Sequence, residues 1–406
     1  MVKLSGIFLL PWYLRLMSQE EFGLYGYLFS MVAYLSTLVN GGFYLVQSKL
    51  YLEYPEKERG KVLFTLNFLL FCIFLLVSII MLISNLDRTL FQLLFKHPFD
   101  YALFRLPLLT GVFVTVFGMM ITYYFLASRS IKKLQVYNIL RSVIIHTVVL
   151  SLLYWSPVEN GAYIRVSGSY YTELVLVVSF MFIFSRSMTF QWSGKIARES
   201  TSLVLPISLY AFFSLIIFTC DRFFIEYYGT LKDLAIYNLA WVLAGVIPFI
   251  SNSVHSIWLP ELLSIKDSKA LGARIKSMAI KLVLGFGVVS LLTIGVVKLL
   301  IVFSVIDNKY KDVVPVLPIV LIGSMILSIF QLVFNFLLSI SKTFILVYIS
   351  LAVALLGVLV TRFLVAKWGF YGAATSMVIM NLGLLIPSAL YSLRYYKKNS
   401  LSSVDL

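Results

Sequence analysis

Apolar positions in this chain are gathered into long runs, and the charges are confined to the short gaps between them. The clearest run lies between Glu199 and Asp221, where no residue is charged. At about 1.5 Å per residue, a helix of that length crosses the roughly 30 Å of hydrocarbon in a bilayer. Comparable runs predict spans over residues 4–17, 23–45, 62–83, 106–127, 137–154, 163–184, 278–305, 313–338, 344–363 and 370–393. With the two helices that flank the turn Tyr227-Tyr228-Gly229-Thr230-Leu231-Lys232 they make twelve. The connections between them are shorter than about 20 residues, too short for a soluble domain.

The pattern around that turn occurs twice. Glu21-Phe22-Gly23-Leu24-Tyr25 follows the turn after Arg15 as Asp233-Leu234-Ala235-Ile236-Tyr237 follows Lys232, and one displacement carries Tyr25 onto Tyr237, Phe29 onto Trp241 and Asn40 onto Asn252. A displacement near half the chain length reads as two related halves. The expected organisation is a six-helix bundle over residues 1–185, a cytoplasmic linker over 186–200, and a second six-helix bundle with a short cytoplasmic tail over 201–406. Carried back to the first span, the same displacement sets its start before Met1, so that helix is expected to be shortened. No small-residue cleavage site follows it, as a signal peptide would require.

Composition agrees with a membrane protein: 60% of residues are hydrophobic and 13% charged, against about 45–50% and about 25% in soluble domains. The two cysteines, Cys72 and Cys220, each lie inside an apolar run, which argues against a disulfide framework or a thiolate metal site. The net charge of +15 comes from basic residues in short loops, where the orientation rule for membrane proteins puts them, and it does not point to nucleic acid. Counted on alternate sides, Lys and Arg are about twice as frequent on the side of the two termini, which predicts that both termini are cytoplasmic.

No enzyme motif is present. His97, His146 and His255 are far apart in the chain, and there is no Gly-rich loop with a nucleotide-binding lysine. Chemistry rests instead on polar residues within the spans. At about 100° per residue, Tyr210, Ser214 and Asp221 share one face of the seventh helix. Tyr237, Trp241, Asn252 and His255 share a face of the eighth, as do Tyr25, Phe29, Asn40 and Phe43 on the second. Polar groups in hydrocarbon face the bundle interior or a wet cavity, and they serve either as helix-to-helix hydrogen bonds or as ligand contacts. Asp221 and Arg222 are adjacent, so their side chains should diverge and pair poorly, while Arg222 reaches Glu226 one turn on. They form either a structural ion pair or a substrate contact. Arg141, Lys281 and Lys298 are expected within about two turns of their helix ends, where long side chains reach the interface; the sharper reading makes them the lining of a cationic cavity. Glu173 either carries a coupling proton or sits at the interface, and Asp221 is the other candidate for the coupled charge.

With these residues in view, the chain resembles polysaccharide (O-antigen) flippases of the Wzx type, in the multidrug/oligosaccharidyl-lipid/polysaccharide exporter superfamily that also holds the MATE drug exporters and the lipid II flippases. The resemblance rests on Arg15-Leu16-Met17-Ser18-Gln19-Glu20-Glu21-Phe22-Gly23-Leu24-Tyr25, on Leu205-Pro206 and Asp221-Arg222, and on Ala235-Ile236-Tyr237. It continues in Tyr310-Lys311 with Pro315 and Pro318, and in Trp368-Gly369-Phe370-Tyr371-Gly372-Ala373-Ala374-Thr375. It implies an all-α polytopic fold of two pseudo-symmetric bundles about a central cavity, no cofactor, and residence in the bacterial inner membrane. It further implies an undecaprenyl-diphosphate-linked oligosaccharide as cargo, and a polysaccharide polymerase and chain-length regulator as partners. Arg222, Arg141, Lys281 and Lys298 are the candidate cations for the diphosphate or acidic sugars. An ion-coupled exporter of small drugs is the alternative.

Overall fold

The computed structural model describes residues 6–97, 99–156, 160–254, 268–339 and 343–401, in two compact units, Met1–Leu215 and Ile216–Leu406. Among the described residues there is no strand.

The first unit contains α1 (Leu10–Leu16), α2 (Gln19–Asn40), α3 (Phe43–Glu53), α4 (Glu56–Ser84), α5 (Leu86–Leu94), α6 (Tyr101–Ala127), α7 (Ile131–Trp155) and α8 (Gly161–Ser185). The helix α9 (Gly194–Tyr228) begins in it and ends in the second unit, with α10 (Leu231–Ala244), α11 (Ser268–Val302), α12 (Val313–Ser339) and α13 (Thr343–Leu401). Among the described residues ten helices are long and apolar enough to cross a membrane, and the last of them runs 52 residues, Phe344–Tyr395. That length is more than twice a bilayer. It breaks at Gly369 (φ 55, ψ −136) into two passes, which makes eleven membrane-length passes among the described residues. The expected first span is represented only by α1, seven residues and about 10 Å long, too short to cross.

The boundaries differ from the sequence reading in four places, each for a local reason. The second span does not run unbroken to residue 45: Gly41 and Gly42 both take positive φ (53 and 89), which ends α2, and α3 continues to Glu53 with Lys49 on it. The segment after the third span is not a loop. It is α5, with exposed Leu86 and Leu90 and polar Asp87, Arg88 and Gln92 along the same short helix. The segment expected to join the halves is helical from Gly194 onward. Finally, α7 begins at Ile131, six residues before the apolar run, because Lys132, Lys133 and Gln135 are good helix formers.

In the first unit α6 is the central helix, packed on α2, α3 and α8, with Val114, Val116, Phe117, Met120 and Ile121 all buried. Two amides tie it in: Asn40 Nδ2 donates to the Val116 carbonyl (3.4 Å) and Gln47 Nε2 to the Met120 carbonyl (3.0 Å). Gly111 lets Tyr170 of α8 approach, since a Cβ there would stand 2.7 Å from the ring. In the second unit α10 is buried without interruption from Leu234 to Ala240, the signature of a helix enclosed on all sides. It packs on α12 and α13. The apolar surface left exposed, such as Leu76, Ile79, Ile80 and Ile83 on α4 and Leu284, Leu291, Leu292 and Leu299 on α11, is what lipid would cover.

The break at Gly41–Gly42 is a sensitive point. Gly42 has a φ few side chains adopt, and a Cβ there would run into Ile207. Gly42→Ala should lower the melting temperature of the detergent-solubilised protein by several degrees, whereas Gly194→Ala, where a Cβ meets nothing within 4 Å, should leave it unchanged. Equal melting of the two variants would show that the break is tolerant.

Candidate functional site

Buried charge inside the two units falls, among the described residues, into three clusters around Arg222, Arg141 and Arg165, with Glu226, one turn beyond Arg222 on α9, also buried at 0% exposed. In the second unit, the capping box at Thr230 and Asp233 starts α10 directly after α9 and brings Tyr237, Asn238 and Trp241 against the last turns of α9. Asp221 is 2% exposed and Arg222 3%. The hydroxyl of Tyr237 donates to Asp221 Oδ2, and the backbone N–H of Arg222 donates to Oδ1 at 2.7 Å. The guanidinium donates from Nε to Asn238 Oδ1 (3.1 Å) and from Nη1 to the Phe218 carbonyl (3.2 Å). It lies over Trp241 at 4.8 Å and Tyr237 at 5.5 Å. Asp221 and Arg222 therefore do pair, Nη1 to Oδ1 at 3.4 Å, contrary to the expectation from their adjacency. The arginine folds back along its own helix toward Phe218, and that brings one end of the fork within reach of the carboxylate.

In the first unit, Arg141 and Glu173 form an ion pair between α7 and α8. Read along the chain they have separate roles; the structure joins them. Arg141 lies about three turns inside α7, because that helix starts at Ile131, and it meets the carboxylate rather than the interface. Glu173 is 4% exposed. The buried hydroxyls of Tyr137 and Tyr170, one turn before Arg141 and Glu173 on the same two helices, have no hydrogen-bond partner.

The third group was missed at the sequence level. Arg165, at the start of the sixth span, was counted with the basic residues on the side away from the termini, yet it is 8% exposed. Its guanidinium is sandwiched between the rings of Tyr13 and Tyr25, 3.8 Å from each centroid, with Phe22 at 5.4 Å. Nη1 points at the Met17 sulfur (3.7 Å), and Tyr13 Oη is 2.8 Å from Nδ1 of His146. No carboxylate among the described residues forms an ion pair with it. The usable signal was the spacing of Tyr13, Phe22 and Tyr25 around the first turn, which supplies three rings to one place. In each unit a buried arginine thus lies beside the tyrosine that the repeat relates, Tyr25 in one and Tyr237 in the other.

The remaining expected residues are scattered. Tyr25 is half-buried in the Arg165 cage, Asn40 is fully buried as the tie between α2 and α6, and Tyr210 is half-buried on α9 one turn before Ser214. Asn252 and Lys298 are exposed. Lys281, also exposed, borders an apolar cavity of about 350 Å³ walled by Ile250, Leu282 and Phe286. His255 lies outside the described residues. Among the described residues no three His, Cys, Asp or Glu side chains are grouped as metal ligands.

Buried cations on aromatic faces can hold anions, and buried carboxylates can take up a proton or a cation. Neither arrangement makes or breaks a bond. The family model described as "Polysaccharide biosynthesis protein" matches residues 1–266.

The chain belongs to the polysaccharide biosynthesis protein family.

Its fold is that of several solved membrane transporters. The family member is similar to a lipid II flippase MurJ in an inward closed conformation (TM-score 0.70, 16% identity, 99% of this chain and 89% of that one). It is similar also to a MATE family multidrug resistance transporter in an inward-facing conformation (0.64, 15%, 98% and 98%) and to one in an outward-facing conformation (0.62, 15%, 98% and 93%). No curated protein matches its sequence. The structural neighbours are a flippase and drug transporters, and they show that this multi-pass membrane protein has their fold.

Proposed function

We propose that the protein flips an undecaprenyl-diphosphate-linked oligosaccharide repeat unit from the cytoplasmic to the periplasmic leaflet of the bacterial inner membrane, for O-antigen or another surface polysaccharide. The observation that carries this reading is that a chain of this family buries two arginines, Arg222 and Arg165, on aromatic faces. A diphosphate or an acidic sugar needs such cations in a place shielded from lipid. A glycan is too polar to cross hydrocarbon unaided, since each unsatisfied hydroxyl costs on the order of several kcal/mol there. The task is shielding and reorientation, and no enzymatic step is required.

In this reading Arg222 attracts the anion, with Asp221 positioning it or carrying the coupled charge, and Glu173 with Arg141 is the second candidate for coupling. Arg165 joins the cations the sequence suggested. The bundles are taken as 1–185 and 201–406 with both termini cytoplasmic, and a polysaccharide polymerase and chain-length regulator act downstream. Deleting the gene should strand the lipid-linked unit on the cytoplasmic leaflet and remove the surface polymer. Undiminished polymer in a strain without a second flippase would overturn the reading.

The second reading is an ion-coupled drug exporter, favoured by the full-length likeness to MATE transporters together with the buried carboxylates Asp221 and Glu173. Lower accumulation of cationic dyes on expression, with no effect on polymer, would select it.

A further inference from the structure

At the end of the first unit where α4 gives way to α6, a cavity of about 320 Å³ opens between α5 and the segment that leads into α6. That volume falls in the range of small-molecule sites, about 300–1,000 Å³. Its frame is fixed by Arg105, one turn into α6. Nε donates to Asp87 Oδ2 at 2.6 Å, and Nη2 donates to Asp87 Oδ1 (3.1 Å), to Asn85 Oδ1 (3.2 Å) and to the Leu82 carbonyl (3.1 Å). The Tyr101 hydroxyl adds a bond to Asp87 at 2.8 Å. One arginine thereby ties the end of α4, the left-handed turn at Asn85 (φ 51) and the start of α5 to α6. Burial alone would raise the Asp87 carboxyl, but the bonds from Arg105 and Tyr101 outweigh it and hold the pKa below the usual carboxylate range.

One side of the cavity is aromatic. Phe91 stacks on Tyr101 (centroids 4.5 Å, 28°), Phe95 packs on Phe99 (4.5 Å), and Phe91 and Phe95 are themselves buried. The rim is polar and exposed, with the amides of Asn85 and Gln92, the guanidinium of Arg88 and the carboxylate of Asp100, one oxygen of which accepts from the Ala102 N–H at 3.1 Å. Donors and acceptors are therefore both present, above ring faces.

We propose that this cavity binds a pyranose sugar ring. A sugar offers an apolar C–H face, which suits an aromatic wall, and an edge of hydroxyls that each donate and accept, which suits a rim mixing amide, guanidinium and carboxylate. A phosphate group is the competing ligand, since Arg88 on the rim would attract it, but Asp100 would repel it, Nε and Nη2 of Arg105 are committed to Asp87, Asn85 and Leu82, and it has no apolar face for the aromatic wall. An apolar ligand would leave the rim groups without partners. None of the residues that line it belongs to the three buried charge groups, and as a sugar site it would serve a sugar of the cargo. The identity of its natural ligand rests on the flippase reading; the binding itself does not.

The test is saturation-transfer NMR on the full-length protein in phosphatidylcholine nanodiscs with millimolar glucose, galactose, rhamnose, N-acetylglucosamine and glucuronic acid. At least one sugar should receive saturation, and the signal should fall at least fivefold in Gln92→Ala and in Phe99→Ala, with Asp100→Asn, which keeps the cap on α6, giving an intermediate loss. Silence from all five sugars, equal transfer in native protein and Gln92→Ala, or displacement by inorganic phosphate or phosphatidylglycerol would overturn the proposal. The measurement needs no transport, so its failure leaves the flippase reading standing, and a failed deletion test leaves the sugar signal standing.

Discussion

Arg222→Ala should abolish surface polymer and also destabilise the protein. Asp221 is buried, and its charge is answered by Arg222, the Tyr237 hydroxyl and one backbone N–H. Removing the guanidinium leaves a carboxylate in a place no water reaches, and breaking a buried pair in this way costs about 3–5 kcal/mol. Asn238 loses its donor at the same time. Asp221→Asn combined with Arg222→Met removes both charges while keeping most of the volume, and it should recover much of the melting temperature that Arg222→Ala loses without restoring polymer. Fluorescence-detected size exclusion after heating reads the first quantity and polymer display the second. If Arg222→Ala retains the native melting temperature and polymer level, the cluster is neither a structural pair nor a part of the transport path.

Arg165→Met should separate the two effects. This guanidinium is buried with aromatic rings and a thioether as its neighbours and no carboxylate in an ion pair with it among the described residues, so it is a liability for folding rather than an asset. Methionine fills similar space and suits the ring faces. The melting temperature should therefore stay level or rise, while polymer falls at least tenfold. Arg165→Lys should behave like the methionine variant in function, because a compact ammonium cannot lie flat between two rings as a guanidinium does. A loss of stability with function retained would return Arg165 to a structural role.

The contrast between these arginines shows how far the sequence can be read. Long uncharged runs have one physical solution in a bilayer, so the all-helical class and eleven of the twelve expected spans were legible from composition and spacing alone; the first, where α1 is seven residues long, was not. The displacement from Tyr25 to Tyr237 was legible too, and the structure gives both tyrosines a buried arginine. The partners of those arginines were not. Arg141 and Glu173 meet across α7 and α8, a packing relation that no spacing within one helix encodes. Arg165 lay two residues inside the span read over 163–184 and was counted with the charges at its mouth, because nothing in the spacing shows Tyr13 and Tyr25 closing over it. The turn of α5 was likewise hidden, since nine residues of mixed character between two spans read equally well as loop.

The hinge at Gly369 has a consequence for how the chain enters the bilayer. The two arms of α13 are joined by a single residue in a conformation open essentially to glycine. They close on each other like a zip: a Cβ on Gly383 would meet Val353, one on Gly357 would meet Met380, and one on Gly372 would meet the Leu364 carbonyl. No polar loop separates them that could wait in water while the first arm is threaded. The pair must leave the insertion machinery as one hairpin, so a ribosome stalled between the arms would hold the first of them without the partner that buries its glycines. The two passes are therefore expected to insert together, committed only when the second has been synthesised.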